Sequence, residues 1–106
     1  MATDVSNGKG GVISVTATAQ QILIVPLPTN GGGNNEYAKS LKVWNTGTTN
    51  VVYAAVNQDD GDFTEATAVP IPPESDFWFV GGRKPIKSLV LKCATGETST
   101  ANYGAF

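Results

Sequence analysis

The strongest constraint on this chain is a period of two. From Val12 to Ala19, the residues Ile13, Val15, Ala17 and Ala19 alternate with Ser14, Thr16 and Thr18. Successive side chains of an extended strand point to opposite faces, so this pattern makes a strand with one buried side. No window carries the three-to-four-residue apolar spacing of a helix. Leu, Glu, Lys, Arg and Met are scarce, whereas Thr, Val, Gly, Asn and Pro are plentiful. That is strand-and-turn composition.

The remaining apolar runs are short and are punctuated by turn residues. Ile22 to Val25 is closed by Pro26 and Pro28, and Thr29 to Asn35 reads as a mobile Gly/Asn loop. Ser40 to Trp44 places Leu41 and Val43 on one face and Lys42 on the other. A turn centred on Gly47, free to take positive φ, leads into Val51 to Val56, and the short connection predicts an antiparallel hairpin. Val69-Pro70-Ile71-Pro72-Pro73 must be extended and lacks ladder donors, so it is an edge strand or a crossover. Phe77 to Val80 is an aromatic strand and Gly81 to Pro85 a turn. Leu89, Leu91 and Cys93 share a face of the next strand, and Thr98 to Tyr103 is the last. About eight strands at spacings of roughly 8–12 residues predict an all-β, two-sheet antiparallel β-sandwich of jelly-roll type. Residues 1–11 read as a flexible arm, because Ser6 to Gly11 offers nothing to pack, and residues 12–106 as one domain.

Composition narrows the function. Of 106 residues, 41% are hydrophobic and 15% charged, the balance of a folded chain whose surface is cheap to desolvate in an assembly. The net charge of −2 and the lack of a basic stripe leave nucleic-acid binding unsupported, with Arg83-Lys84 read as a solvated turn. No run approaches the ~18 apolar residues of a membrane span. The N-terminus lacks the basic and apolar regions of a secretory signal, so a cytoplasmic origin is expected.

Histidine is absent, which removes Ser-His-Asp and Cys-His arrangements and the commonest zinc ligand. Cys93, the single cysteine, sits in an apolar run and reads as a small buried hydrophobe rather than a nucleophile. Asp59, Asp60, Asp62 and Glu65 crowd one loop where calcium is conceivable, but their spacing is not that of an EF-hand, and a solvated turn is the simpler reading. Gly8-Lys9-Gly10-Gly11 lacks the spacing and the helix of a phosphate loop. Asp76, beside Phe77 and Trp78, is the only carboxylate placed as a catalytic acid would be. No cofactor is expected, and the chain reads as non-enzymatic.

The aromatic residues are the remaining candidates. If Phe77, Phe79, Leu41 and Val43 face the core, Trp44 and Trp78 point outward; if the register is inverted, one tryptophan is core. Outward tryptophans anchor sugars or protein partners. Trp44, Tyr53 and Trp78 are therefore the candidate partner-binding residues.

Two segments carry a resemblance. One is Ser40-Leu41-Lys42-Val43-Trp44-Asn45-Thr46-Gly47 followed by Val51 to Val56. The other is Val69-Pro70-Ile71-Pro72-Pro73-Glu74-Ser75, then Phe77 to Val80, then Leu89-Val90-Leu91-Lys92-Cys93-Ala94-Thr95-Gly96. Together, over residues 12–103, they resemble small virion proteins of tailed bacteriophages, of the capsid decoration (cement) or accessory head type. The resemblance implies a non-enzymatic virion protein made in the host cytoplasm and carried on the capsid surface. It would bind the major capsid protein or other virion proteins and form a homo-oligomer, with a trimer favoured. Two other readings stand beside it: a tail, neck or host-attachment component, and a carbohydrate-binding sandwich with Trp44, Tyr53 and Trp78 as its stacking platform.

Overall fold

The computed structural model describes residues 2–4, 10–24, 27–28, 35–36, 38–58, 63–80 and 85–106. The described residues form strands β1 (Ala2–Asp4), β2 (Gly10–Val15), β3 (Gln20–Leu23), β4 (Leu27–Pro28), β5 (Asn35–Glu36), β6 (Ser40–Asn45), β7 (Val52–Val56), β8 (Val69–Ile71), β9 (Ser75–Val80), β10 (Ser88–Lys92) and β11 (Ser99–Ala105). One sheet has the order β1-β3-β10-β7-β8 and the other β2-β11-β6-β9, while β4 and β5 pair as a separate ribbon.

Eight of these strands form a two-sheet sandwich, as the turn spacing predicts. Antiparallel pairs are nested along the chain: β2 with β11, β3 with β10, β6 with β9, and β7 with β8. Among these eight, each successive strand lies in the opposite sheet from the one before, except β7 and β8, which pair within one sheet. A ribbon of nested pairs wrapped over a common core is a jelly roll.

That wrapping overturns the expected hairpin. β6 and β7 never pair, because they lie in different sheets, and the 46–51 connection is an arch over the end of the core. Buried Asn45 organises it. Its Nδ2 donates to Asn50 O at 2.8 Å and to Ile71 O at 2.9 Å, while its Oδ1 accepts from Gly47 N at 3.1 Å and Ser99 Oγ at 2.7 Å. One amide side chain thus ties both sheets together with its whole hydrogen-bonding capacity. Gly47 serves this arch through its size, not through positive φ: a methyl there would collide with Ser99 Oγ.

The first strand also ends earlier than the alternation suggests. β2 stops at Val15, and Thr16 turns the chain by accepting Thr18 N on its hydroxyl. Past Val15 the alternation in sequence is no longer an alternation in burial: Thr16, Ala17 and Ala19 are half-buried and Thr18 exposed, because the chain changes sheets there. At the N-terminal end, Ala2–Asp4 run parallel beside β3 and Gly10 opens β2, so the stretch expected to be an arm contributes pairing residues at both ends. Most of the Thr29–Asn35 loop, Asp59 to Asp62 and Gly81 to Lys84 lie outside the described residues.

Between the sheets, Val15, Ile22, Leu41, Val43, Val52, Ala54, Ile71, Phe79, Leu89, Leu91, Ala101 and Tyr103 form the core. Cys93 belongs to it, fully buried, with burial, seconded by nearby Glu97, pushing its thiol above the ordinary value. A second cluster lies on the outer face of the five-stranded sheet, where Phe63 covers Ala55 and Val90. β8, which carries Pro70, is an edge strand of that sheet, the first of the two alternatives open to the Val69–Pro73 segment.

Candidate functional site

The two sheets differ in what covers them. Phe63, with Ala19, Tyr53 and Ala68 packed around the same cluster, closes part of the outer face of the five-stranded sheet. On the four-stranded sheet, no described segment lies over the outer face. Its large apolar side chains stay in water: Trp78 is 48% exposed, Phe106 60% and Val80 78%, with Val12 on the far edge at 71%. Isolated exposed hydrophobes are ordinary, but a contiguous set on one rigid face marks an interaction surface.

Strand register builds this surface. On β6, Leu41, Val43 and Asn45 point into the core, so Lys42 and Trp44 point outward. On β9, Phe79 is buried, and Asp76, Trp78 and Val80 alternate to the outside. Pairing sets Lys42 opposite Trp78, and Trp44 opposite Asp76. Cross-strand neighbours on one face lie within side-chain reach, and the contacts follow. Lys42 Nζ sits 4.6 Å from the Trp44 ring centre and 5.3 Å from that of Trp78, and meets Asp76 Oδ2 at 3.2 Å. The ammonium lies over two indole faces while its charge is balanced by a carboxylate. Trp78 also packs against Phe106, ring centres 5.5 Å apart. Beside Trp44, an open groove of about 470 Å³ is lined by Asn45, Thr46, Glu74, Ser75 and Asp76.

Trp44 and Trp78 therefore share the outer face, joined through Lys42, and the core register with Leu41, Val43 and Phe79 inside is the one adopted. Tyr53 is not with them. It lies on β7 between buried Val52 and Ala54 and packs against the Phe63 cluster, on the opposite outer side of the sandwich. The three-residue stacking platform is thus not assembled: Tyr53 lies in a different sheet from the two tryptophans. Asp76, considered as an acid catalyst, is matched to an ammonium and stands about half exposed, so no apolar enclosure surrounds it. Of the acidic loop considered for calcium, Glu65 is described and exposed.

Lys42 and Phe106 are the members of the surface not singled out from the sequence. Lys42 was legible in principle, since it alternates with core residues next to Trp44. Phe106 gave no local signal. It joins because β11 continues to Ala105 and Phe106 exchanges backbone hydrogen bonds with Ser40 at 3.0 and 3.2 Å.

No family model, no curated protein and no solved structure matches this chain.

Proposed function

We propose that this chain is a non-enzymatic structural protein of a tailed-phage virion, a capsid decoration protein that docks on the major capsid protein through the outer face of its four-stranded sheet. The observation that carries this reading is the patch of exposed Trp78, Phe106 and Val80 beside half-buried Trp44, on a face that no described segment covers, with Lys42 and Asp76 neutralising each other inside it. Aromatic anchors on rigid strands lose little conformational entropy when a partner covers them, which is the behaviour of binding hot spots. A low-charge jelly roll suits a protein whose work is to be held in a shell, and the resemblance over residues 12–103 supplies the partner class.

The test uses heads purified without the protein. Added wild-type chain is expected to co-sediment with the heads and to appear as added density at regular positions on the shell by electron microscopy. Trp78→Ala, which removes the anchor in contact with both Phe106 and Lys42, is expected to weaken binding by about 2 kcal/mol, roughly thirtyfold. Density confined to the tail or neck, or no co-sedimentation at protein concentrations in the tens of micromolar (about 7 kcal/mol of binding free energy), overturns the decoration role.

A further inference from the structure

The outer face ends at β9, and the hydrogen-bond pattern shows what β9 presents there. Ser40 and Phe106 exchange both backbone hydrogen bonds, and Thr46 N donates to Thr100 O at 2.9 Å. In an antiparallel ladder such pairs recur at every second residue, so Ser40, Lys42, Trp44 and Thr46 direct their backbone groups toward β11. Leu41, Val43 and Asn45 then direct theirs toward β9, where their partners are Phe79, Phe77 and Ser75. The N–H and C=O groups of Asp76, Trp78 and Val80 are left facing the open edge, with no partner strand among the described residues.

This edge lacks the usual protections. β9 is six residues long and contains no proline, and its one charge, Asp76, is matched to Lys42 of the neighbouring strand. Short strands, charges, prolines and bulges are how exposed edges avoid pairing with other chains. Instead Phe77, Trp78 and Val80 stand 39%, 48% and 78% exposed along it.

We propose that β9 pairs antiparallel with β9 of a second copy across a twofold axis through Trp78. The register follows from symmetry. Trp78 faces its own copy as a hydrogen-bonded pair, Asp76 lies opposite Val80 of the other chain, and Phe77 opposite its Phe79. About six backbone hydrogen bonds form from groups that no described strand pairs with. Two four-stranded sheets become one continuous sheet, and the exposed edge of Phe77 is covered. The charges carried by β6 and β9 themselves, Lys42 and Asp76, are already matched within each chain, so this pair brings no like-charge repulsion to the join. A twofold arrangement is also the one that closes: pairing β9 with β2 of the next copy would leave a free β9 at every step and extend without limit. The surface available is on the order of 500 Å² per copy, near the lower bound for a specific contact, so the dimer dissociates on dilution. This twofold association departs from the trimer that the resemblance implies. It does not rest on capsid binding, although it would double the docking face by placing two Lys42–Trp78 rows side by side.

The experiment is made on purified protein alone, so its outcome is separate from any capsid measurement. Sedimentation velocity across a dilution series is expected to show a concentration-dependent dimer. Trp78→Cys is expected to give a disulfide-linked dimer under mild oxidation, because hydrogen-bonded partners have Cα atoms about 5.5 Å apart, within disulfide range. Val12→Cys, at a position more exposed than Trp78 and on the opposite edge of the same sheet, is expected to stay monomeric, and buried Cys93 to contribute nothing. Val80→Pro removes an outward N–H that no described strand pairs with. It should keep the wild-type circular dichroism spectrum and lose at least tenfold in dimer affinity. Should that variant unfold, the comparison of the two cysteine variants still decides. A monomer at every concentration, equal cross-linking from Val12→Cys and Trp78→Cys, or higher oligomers in place of a dimer each overturn the proposal.

Discussion

Asn45 is the residue on which the sandwich turns. Its side chain is 1% exposed and makes four hydrogen bonds reaching Gly47, Asn50, Ile71 and Ser99. Removing a buried group whose partners then stay unsatisfied costs far more than one net hydrogen bond. Asn45→Ala is therefore expected to lower stability by about 2–4 kcal/mol in urea unfolding. Gly47→Ala is expected to cost about 1–3 kcal/mol by overpacking. Adding Ser99→Ala should return part of that loss, because the atom in the way is Ser99 Oγ. Glu74 tests a different cost. It holds φ at +60°, a conformation that disfavours residues with a Cβ. Glu74→Gly, in the turn before β9, is expected to leave the thermal midpoint unchanged or raised, in contrast to glycine substitutions within the strands.

At the scale of the strand, β6 carries two different tasks on its two faces. Leu41 is fully buried, and Leu41→Ala is expected to cost about 2–5 kcal/mol by opening a cavity. Lys42, one residue on, lies over two tryptophans and pairs with a half-exposed carboxylate. Partly exposed ion pairs contribute little, so Lys42→Met should change stability by less than about 1 kcal/mol. Denaturant midpoints of the two variants separate the faces directly. If Lys42→Met proved as damaging as Leu41→Ala, the outer face would be part of the scaffold, not a surface held ready for a partner.

At the scale of the whole molecule, two buried acids set the alkaline limit. Burial raises the Tyr103 phenol above its ordinary value, and burial, with Glu97 second, raises the Cys93 thiol above its ordinary 9.0. The native state thus holds both protons more tightly than the unfolded chain. Below the unfolded values that preference is fully present; as pH rises past about 9, the unfolded chain releases protons that the native state retains, and stability falls. Thermal midpoints are expected to drop between pH 8 and pH 10.5, and to drop less in Tyr103→Phe. By the same burial, Cys93 should resist alkylation at pH 8 in the folded protein and react once it is unfolded in urea.

How much of this was readable in one dimension depends on the range of the interaction involved. The strands at Ser40–Asn45 and Ser75–Val80 were legible because alternation is a local property: the same backbone geometry that makes a strand assigns every second side chain to one face. The outward direction of Trp44 and Trp78 needed one further fact, which face was core, and a strand with apolar residues on both sides does not carry it. The false hairpin at 46–51 has the same origin, since a short Gly-containing connection suits a tight turn and an arch equally well. What separates them is buried Asn45, whose partners Ile71 and Ser99 lie far along the chain.

Local side-chain chemistry, then, was enough to make this an all-β chain and to place its apolar stripes, since those follow from steric preferences between neighbouring residues. Which strands pair, which sheet is covered by Phe63 and which has no described segment over its outer face, and that Tyr53 faces away from the two tryptophans were decided only when distant segments competed for the same buried volume. That competition is non-local by nature: Phe63 finds its place over Ala55 and Val90 because the fold has brought them together, and nothing in the residues flanking any of the three could announce it.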